Sequence, residues 1–252
     1  MIKPHINVPY HLIDTYLQFI REQQLNLEIY FNSTVADSIR KEDIVSLKKK
    51  LDYSPRLSIH SPFMDLSPGG VDPRVREITF KRFSDILGVA EILQPKTVVF
   101  HSGYDKWKYD SNVEIWLEGC LKTWRPLKKR ASDSGITIAI ENVFEDEPSH
   151  LELLMKETGS ENFGLCFDTG HFNLFSRISL IEWLTRIRPY IVELHLHDND
   201  GRSDAHLAVG EGSFDFAVLF SELTGKNCLY TIEAHTEEGV KKSLERLREY
   251  LK

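Results

Sequence analysis

Short apolar runs in this chain end in a carboxylate or an imidazole: LSIHSPF, TVVFHSG, TIAIENV, LCFDTGH, VELHLHDN, SDAHLAVGEG and YTIEAH. Their polar residues are His60, His101, Glu141, Asp168, His171, His195, Asp204, His206 and Glu233. Runs of this kind predict eight strands, near His5–Val8, Leu27–Phe31, Arg56–His60, Thr97–His101, Thr137–Asn142, Phe163–Asp168, Ile191–His197 and Leu229–Glu233. Between them apolar residues recur at helical spacing over Tyr10–Gln24, Arg74–Leu93, Asn112–Ser134, Ser149–Thr158, Ser179–Arg186, Phe214–Leu223 and Glu237–Leu251, and more weakly over Arg40–Leu51. Ser149 and Thr236 suit helix N-caps, and Gly159 and Gly225 suit C-terminal stops.

Strand–helix alternation implies right-handed βαβ units and a parallel sheet. Eight repeats predict a closed (β/α)8 TIM barrel, an α/β fold. An open doubly wound sheet should carry a glycine-rich phosphate turn after its first strand, and VPYHL has none. No linker, low-complexity stretch or charge run interrupts residues 1–252, so one domain is expected. Two loops are rich in turn residues, 61–73 after strand three and 198–213 after strand seven; long loops on a barrel usually carry function.

The chain has 252 residues, ample for one buried core. Its formal net charge of −7 gives no general attraction to nucleic acid or anionic membrane. Cys120, Cys166 and Cys228 are widely spaced, which argues against a disulfide scaffold or structural zinc; Cys166, within GLCF, reads as core. The N-terminus lacks the apolar stretch of a signal peptide, and no segment approaches transmembrane length, so a cytoplasmic protein is expected.

Chemistry in a TIM barrel sits at the C-terminal ends of the strands. Glu141, Asp168, His195 and Glu233 end strands five to eight, where they would surround one mouth. Any one alone reads more readily as a solvated carboxylate or a hydrogen-bonded histidine than as a ligand. Together, crowded carboxylates repel, and a cation removes that cost. Oxygen and nitrogen donors without thiolate suit Mg, Mn, Co or Zn. His60, His101, His171, Asp204 and His206 either complete further metal sites or bind substrate, since imidazole and carboxylate serve both purposes, and Asp204 and His206 could instead simply order their loop. His197 reads as a support or structural residue rather than a ligand. His5 is a weak pocket candidate, His150 a surface residue, and His235 lacks supporting context.

The segments IEN (140–142), FDTGH (167–171), HLHDNDG (195–201), DAH with VGEG (204–212) and TIEAH (231–235) resemble the endonuclease IV and xylose isomerase-like superfamily of metal-dependent barrels. The resemblance covers essentially the whole chain and does not specify one activity. Its ketose epimerase and sugar isomerase branch implies one cation held by Glu141, Asp168, His195 and Glu233. There the two glutamates double as the acid/base pair for an enediolate reaction on a sugar or sugar phosphate, and His171 hydrogen-bonds the substrate. An arginine common in that branch six residues after the strand-seven histidine is Gly201 here, with Arg202 next to it. The apurinic endonuclease branch implies three zinc ions. His60, His101 and Glu141 would hold the first, Glu141, Asp168, His195 and Glu233 the second, and His171, Asp204 and His206 the third. Phe63 and Met64 would then offer the apolar wedge inserted into DNA.

The short chain, its acidic balance and the absence of a basic cluster in the mouth-side loops favour a small sugar-like substrate over nucleic acid. The first expectation is therefore a metal-dependent isomerase or epimerase, with one ion and at most three. The alternative is an apurinic-site endonuclease or related phosphodiesterase. A barrel that binds a metabolite without turnover has no need of nine convergent ligands.

Overall fold

The eight β-strands pair in chain order, all parallel, and β1 closes on β8. The computed structural model describes residues 3–159 and 161–251. The strands are β1 His5–Pro9, β2 Asn26–Tyr30, β3 Leu57–His60, β4 Thr97–His101, β5 Thr137–Glu141, β6 Phe163–Asp168, β7 Ile191–Leu196 and β8 Leu229–Ile232. The helices are α1 Ile13–Glu22, α2 Ser33–Ser38, α3 Lys41–Lys50, α4 Pro73–Leu93, α5 Val113–Asp133, α6 Ser149–Thr158, α7 Thr169–Phe175, α8 Leu180–Ile187, α9 Phe216–Glu222 and α10 Glu237–Tyr250. The expected (β/α)8 barrel is the fold.

Local chemistry explains several boundaries. Asp72 accepts from the backbone N–H of Arg74, with Pro73 at the first turn of α4. Thr236 caps α10 by accepting from Gly239, as its position suggested. Gly159 ends α6 at a φ of 77°, a conformation that costs glycine little. Ser149 does not cap α6: it lies one residue inside the helix, and its hydroxyl is turned to Glu147. Helices α2 and α7 escaped the periodicity reading because each is too short to display a repeat.

Alternation along each strand separates two interiors. One face of every strand packs against the helices in the main apolar core, around Trp116, Trp124, Trp183, Phe83 and Phe100. Inside the barrel the apolar content is small, a cluster of Val99, Ala139 and Cys166. Polar side chains fill the rest. His5, Glu28, Ser58, Thr97, Glu193 and Thr231 lie low in the barrel, all buried. Above them His60, His101, Glu141, Asp168 and His195 occupy the C-terminal strand ends. The structure thus builds a polar shaft leading to the mouth.

Candidate metal centre at the barrel mouth

The residues of the recurrent motifs hold the strand ends in register. Asn142 bridges β5 and β6: its amide donates to the Asp168 carbonyl at 3.0 Å, and Asp168 N–H donates back at 2.8 Å. Asp168 also caps α7 by accepting from His171 N–H at 2.7 Å. Thr169 reaches across to β7, its hydroxyl donating to the His197 carbonyl at 2.7 Å. Gly170 is required by close approach, since a Cβ there would lie 2.0 Å from His197 Cε1. The 198–213 loop is gathered by the fully buried Asp198, which accepts from the backbone of Gly210 at 3.1 Å, Gly212 at 2.8 Å and Phe214 at 3.1 Å. The glycines of VGEG therefore serve this loop, while Glu211 between them is exposed and pairs with Lys242 at 2.9 Å.

Glu141, Asp168, His195 and Glu233 converge. His195 Nδ1 lies 3.6 Å from Glu141, 3.8 Å from Asp168 and 3.3 Å from Glu233. This nitrogen is buried and has no hydrogen-bond partner. The opposite nitrogen, Nε2, is engaged by Glu28 at 3.2 Å. An imidazole that donates on one side presents a lone pair on the other. One such lone pair among three carboxylates fits a divalent cation of hard or borderline character.

The other five candidates flank this set. His60 Nε2 and His101 Nε2 lie 3.0 and 3.4 Å from the same Glu141 oxygen. His60 Nδ1 donates to the Ser61 carbonyl at 2.9 Å, fixing which nitrogen faces the acid. On the other flank, Asp204 lies 3.2 Å from His206 Nε2 and 3.7 Å from His171 Nε2. His171 Nδ1 donates to the Asn142 carbonyl at 3.0 Å. All nine side chains therefore share one mouth, in three adjoining groups that meet at Glu141, Asp168 and Glu233.

Without a cation the imidazoles answer the carboxylates. Burial pulls His60 down, but the hydrogen bond and charge of Glu141 overcome it and push it up to about 9. His206, against Asp204, Glu233 and Asp168, is likewise pushed up to about 9 despite its burial. Burial dominates at His101, which is lowered. Burial would raise Glu141, yet His101, His195 and His171 hold it well below the ordinary carboxylate range.

Four expectations about histidines need correction or detail. His5 is not a pocket residue; it is buried low in the barrel against Ser58 Oγ at 2.8 Å, and burial lowers it to about 4. His150 is not on the surface. It is buried, 3.2 Å from Glu145, under the Tyr104 ring at a centroid distance of 4.0 Å. His197 contacts both Asp168 oxygens through Nε2 at 3.0 Å and stacks on His206 at 4.0 Å, so it braces two donors. His235 stacks on the outer side of His206 at 4.6 Å. Arg202 points to solvent, 3.9 Å from Asp200.

Sequence reasoning missed Glu28 and Asn7. Both sit inside strands rather than at their ends, and neither belongs to a recognisable motif. Glu28 is fully buried, and Asn7 Nδ2 joins it to the mouth by donating to Glu28 at 2.8 Å and Glu233 at 3.2 Å. Beside them, burial and the charge of Glu28 push Glu193 up to about 7.

The mouth opens into a cavity of about 940 Å³. Its walls are largely apolar. Phe63 stacks on His101 at 4.2 Å and on Tyr30 at 5.8 Å. Phe144 and Phe175 meet edge to face at 5.2 Å, and Met64 is 73% exposed. Outside the nine candidates, the charged residues of the lining are Asp65, Asp105, Lys108 and Glu237.

Comparison with known proteins agrees with this architecture. An uncharacterized protein of Methanocaldococcus jannaschii is 33% identical over 208 residues, which cover 79% of this chain and 71% of the relative. A D-tagatose 3-epimerase-like protein superposes with a TM-score of 0.83 at 27% identity, over 98% of this chain and 97% of the other. A Thermus thermophilus protein whose crystals were soaked with zinc chloride does so with a TM-score of 0.83 at 25% identity, over 99% and 98%. Residues 19–250 match the family profile, and the chain belongs to the xylose isomerase-like TIM barrel family.

Proposed function

We propose that this protein is a divalent-metal-dependent isomerase or epimerase of a small polyhydroxylated carbonyl compound, with Glu141 and Glu233 as its acid/base pair. One observation carries the reading. Carboxylates from β5 and from the end of β8, both lining the cavity, approach the same unpartnered nitrogen, His195 Nδ1, buried beneath them, at 3.6 and 3.3 Å. Glu141, Asp168, His195 and Glu233 would hold the cation. When bound, it supplies electrostatic stabilisation of negative charge on the substrate's carbonyl oxygen and neighbouring hydroxyl. Glu233 takes a proton from the adjacent carbon through the oxygen that Asn7 leaves free, Oε2, while Asn7 fixes Oε1. Glu141, the second carboxylate beside the same nitrogen, would return a proton to the carbon only after taking one from solvent, while Glu233 releases to solvent the proton it removed. His171 Nε2 and Lys108 offer hydrogen bonds to hydroxyl groups above the floor. The likeness to a D-tagatose 3-epimerase-like protein supports the substrate class, and the zinc-soaked neighbour supports zinc among the acceptable ions.

A second reading rests on the nine-donor convergence itself. His60, His101 and Glu141 on one flank and His171, Asp204 and His206 on the other could hold two further ions, as multi-metal phosphoester hydrolysis requires. The cavity wall opposes it. Among the described residues of the lining, Asp65, Asp105 and Glu237 against the single Lys108 repel a polyanionic strand.

The test is solvent exchange. The protein loaded with Mn or Zn, incubated with D-fructose, D-tagatose and D-ribulose in deuterated water, is expected to wash deuterium into the carbon beside the carbonyl of at least one. Glu233→Gln should slow it by roughly 10²–10⁴-fold. Absence of exchange with every ketose, together with cleavage of a duplex bearing an abasic site, would move the assignment to the second reading.

A further inference from the structure

The cavity above the candidate metal centre has a second arm. On β1, His5 and Asn7 turn into the barrel, so Ile6 and Val8 face outward toward the helices. Both nonetheless line the cavity, together with Tyr16 and Ile20 of α1 and Val240 of α10. The cavity therefore passes over the lip formed by Pro9 and Ala234–Glu237 and descends outside the barrel, between α1 and α10. Every wall residue named in this arm is apolar or presents an aromatic ring. Lys241, whose Nζ lies 5.2 Å from the Phe19 ring, borders the same gap between the two helices.

A single sugar ring does not fill such a space. At about 940 Å³ the cavity lies near the upper end of the range for pockets that take drug-sized ligands, roughly 300–1,000 Å³. Protein interiors close on themselves, and an apolar void left without atoms forfeits dispersion contacts along its whole wall. A gap in the helical ring that is apolar, deep and continuous with a polar site matches a molecule of two parts. The charge of the lining says what the second part is. Lys108 is the one cation of the lining among the described residues, and it sits on the far side, near Ser67 at 2.8 Å; Lys241, which borders the arm, lies over the Phe19 ring and is not part of the lining, so the walls of the arm are apolar.

We propose that the α1–α10 arm binds an apolar substituent of the substrate, an alkyl chain or aryl group joined to the polyhydroxylated head. This rests on the isomerase reading for the head group, while the arm itself is argued from its own walls. The arm lies outside the nine donors, so it adds affinity and selectivity without entering the proton transfer.

The experiment compares two probes that differ only in the substituent. Methyl β-D-glucoside and n-octyl β-D-glucoside, the latter kept below its micellar concentration, are titrated calorimetrically into the metal-loaded protein. The octyl compound is expected to bind at least about tenfold more tightly, with a negative heat-capacity change. Val240→Phe, which fills the arm from α10, should erase that ratio; Val8→Phe fills it from the strand and replaces Val240→Phe if the latter does not fold. Equal affinities in the native protein overturn the proposal. So does a preference that survives both filled variants, which would place the chain on the Phe144–Phe175 rim. A concentration-dependent dimer that excludes the octyl probe also overturns it, because the gap would then seat a second copy. Failure of ketose exchange, by contrast, falls on the isomerase reading and leaves the probe ratio unchanged.

Discussion

The Glu28 carboxylate meets His195 Nε2 at 3.2 Å from beneath, and both side chains are fully buried. When the ring is neutral, as a bound cation requires, the contact leaves Nδ1 as the lone-pair face turned toward Glu141, Asp168 and Glu233. It aims the ring and raises its basicity, the role a carboxylate plays behind a metal-bound histidine. Glu28→Gln keeps the shape and an acceptor oxygen but removes the charge. It is expected to weaken zinc binding about 10–100-fold, measured by competition with a chelator of known affinity. The metal-free protein should melt with a smaller change than the loaded one. Unchanged zinc affinity would refute the role.

Most of the barrel was legible because its strands announce themselves at both ends. The donors followed from the same signal: a polar residue that terminates an apolar run on a barrel is at the mouth. Glu28 and Asn7 broke that rule. They lie mid-strand among apolar neighbours and look like solvent-facing alternation, yet face a polar interior. Nothing local distinguishes the inside of a barrel from the outside of a sheet. His150 was misread for a related reason. Its partner Glu145 is only five residues away, but its cover, Tyr104, comes from the loop after β4, and only tertiary packing brings that ring over it. Asp198 belonged to a recognised motif, but its task of tying Gly210, Gly212 and Phe214 is a contact across the loop.

The imidazoles make the metal-free protein sensitive to alkali. His60 and His206 are raised from 6.5 to about 9 by acidic neighbours, against the effect of burial. A raised folded-state pKa stabilises fully below the unfolded value, and the contribution is lost as pH climbs through the folded value. Glu141, held low, contributes above its ordinary value of 4.5 and loses that contribution under acid. The melting temperature of the metal-free protein is therefore expected to be highest between about pH 4.5 and 6.5 and to fall toward pH 9. Cation binding at the central set needs a neutral His195, which burial pulls down but the carboxylates of Glu28, Glu233 and Glu141 hold raised, so affinity should rise with pH and binding should release protons. Calorimetry in two buffers of different ionisation enthalpy reads the release directly. A flat melting profile from pH 6.5 to 9 would contradict the assignment.

Gly170 tests whether the DTGH turn is tight for a reason. Alanine favours helix interiors over glycine, so propensity alone predicts that Gly170→Ala stabilises α7. Packing predicts the reverse, because the new methyl would lie 2.0 Å from His197 Cε1 and 2.5 Å from its Nδ1. Displacing His197 also removes the brace on both Asp168 oxygens. A loss of roughly 1–3 kcal/mol in chemical denaturation is expected, with weaker zinc binding. A stabilised variant with native affinity would show that the ring moves aside freely.

Asn7 and Glu233 separate holding a base from being one. Asn7 Nδ2 donates to Glu233 Oε1 at 3.2 Å and to Glu28 Oε1 at 2.8 Å, so it ties the mouth carboxylate to the buried one. Glu233→Gln removes the proton acceptor and should lower the exchange rate by roughly 10²–10⁴-fold. Asn7→Ala leaves the acceptor in place but frees its orientation. The loss should be smaller, on the order of tenfold, and should fall on kcat rather than KM, since the substrate still finds its other contacts. Zinc affinity should change less for Asn7→Ala than for Glu28→Gln, because His195 keeps its partner. If Asn7→Ala instead raised KM with kcat intact, Asn7 would be a substrate contact and Glu233 would need no positioning from β1.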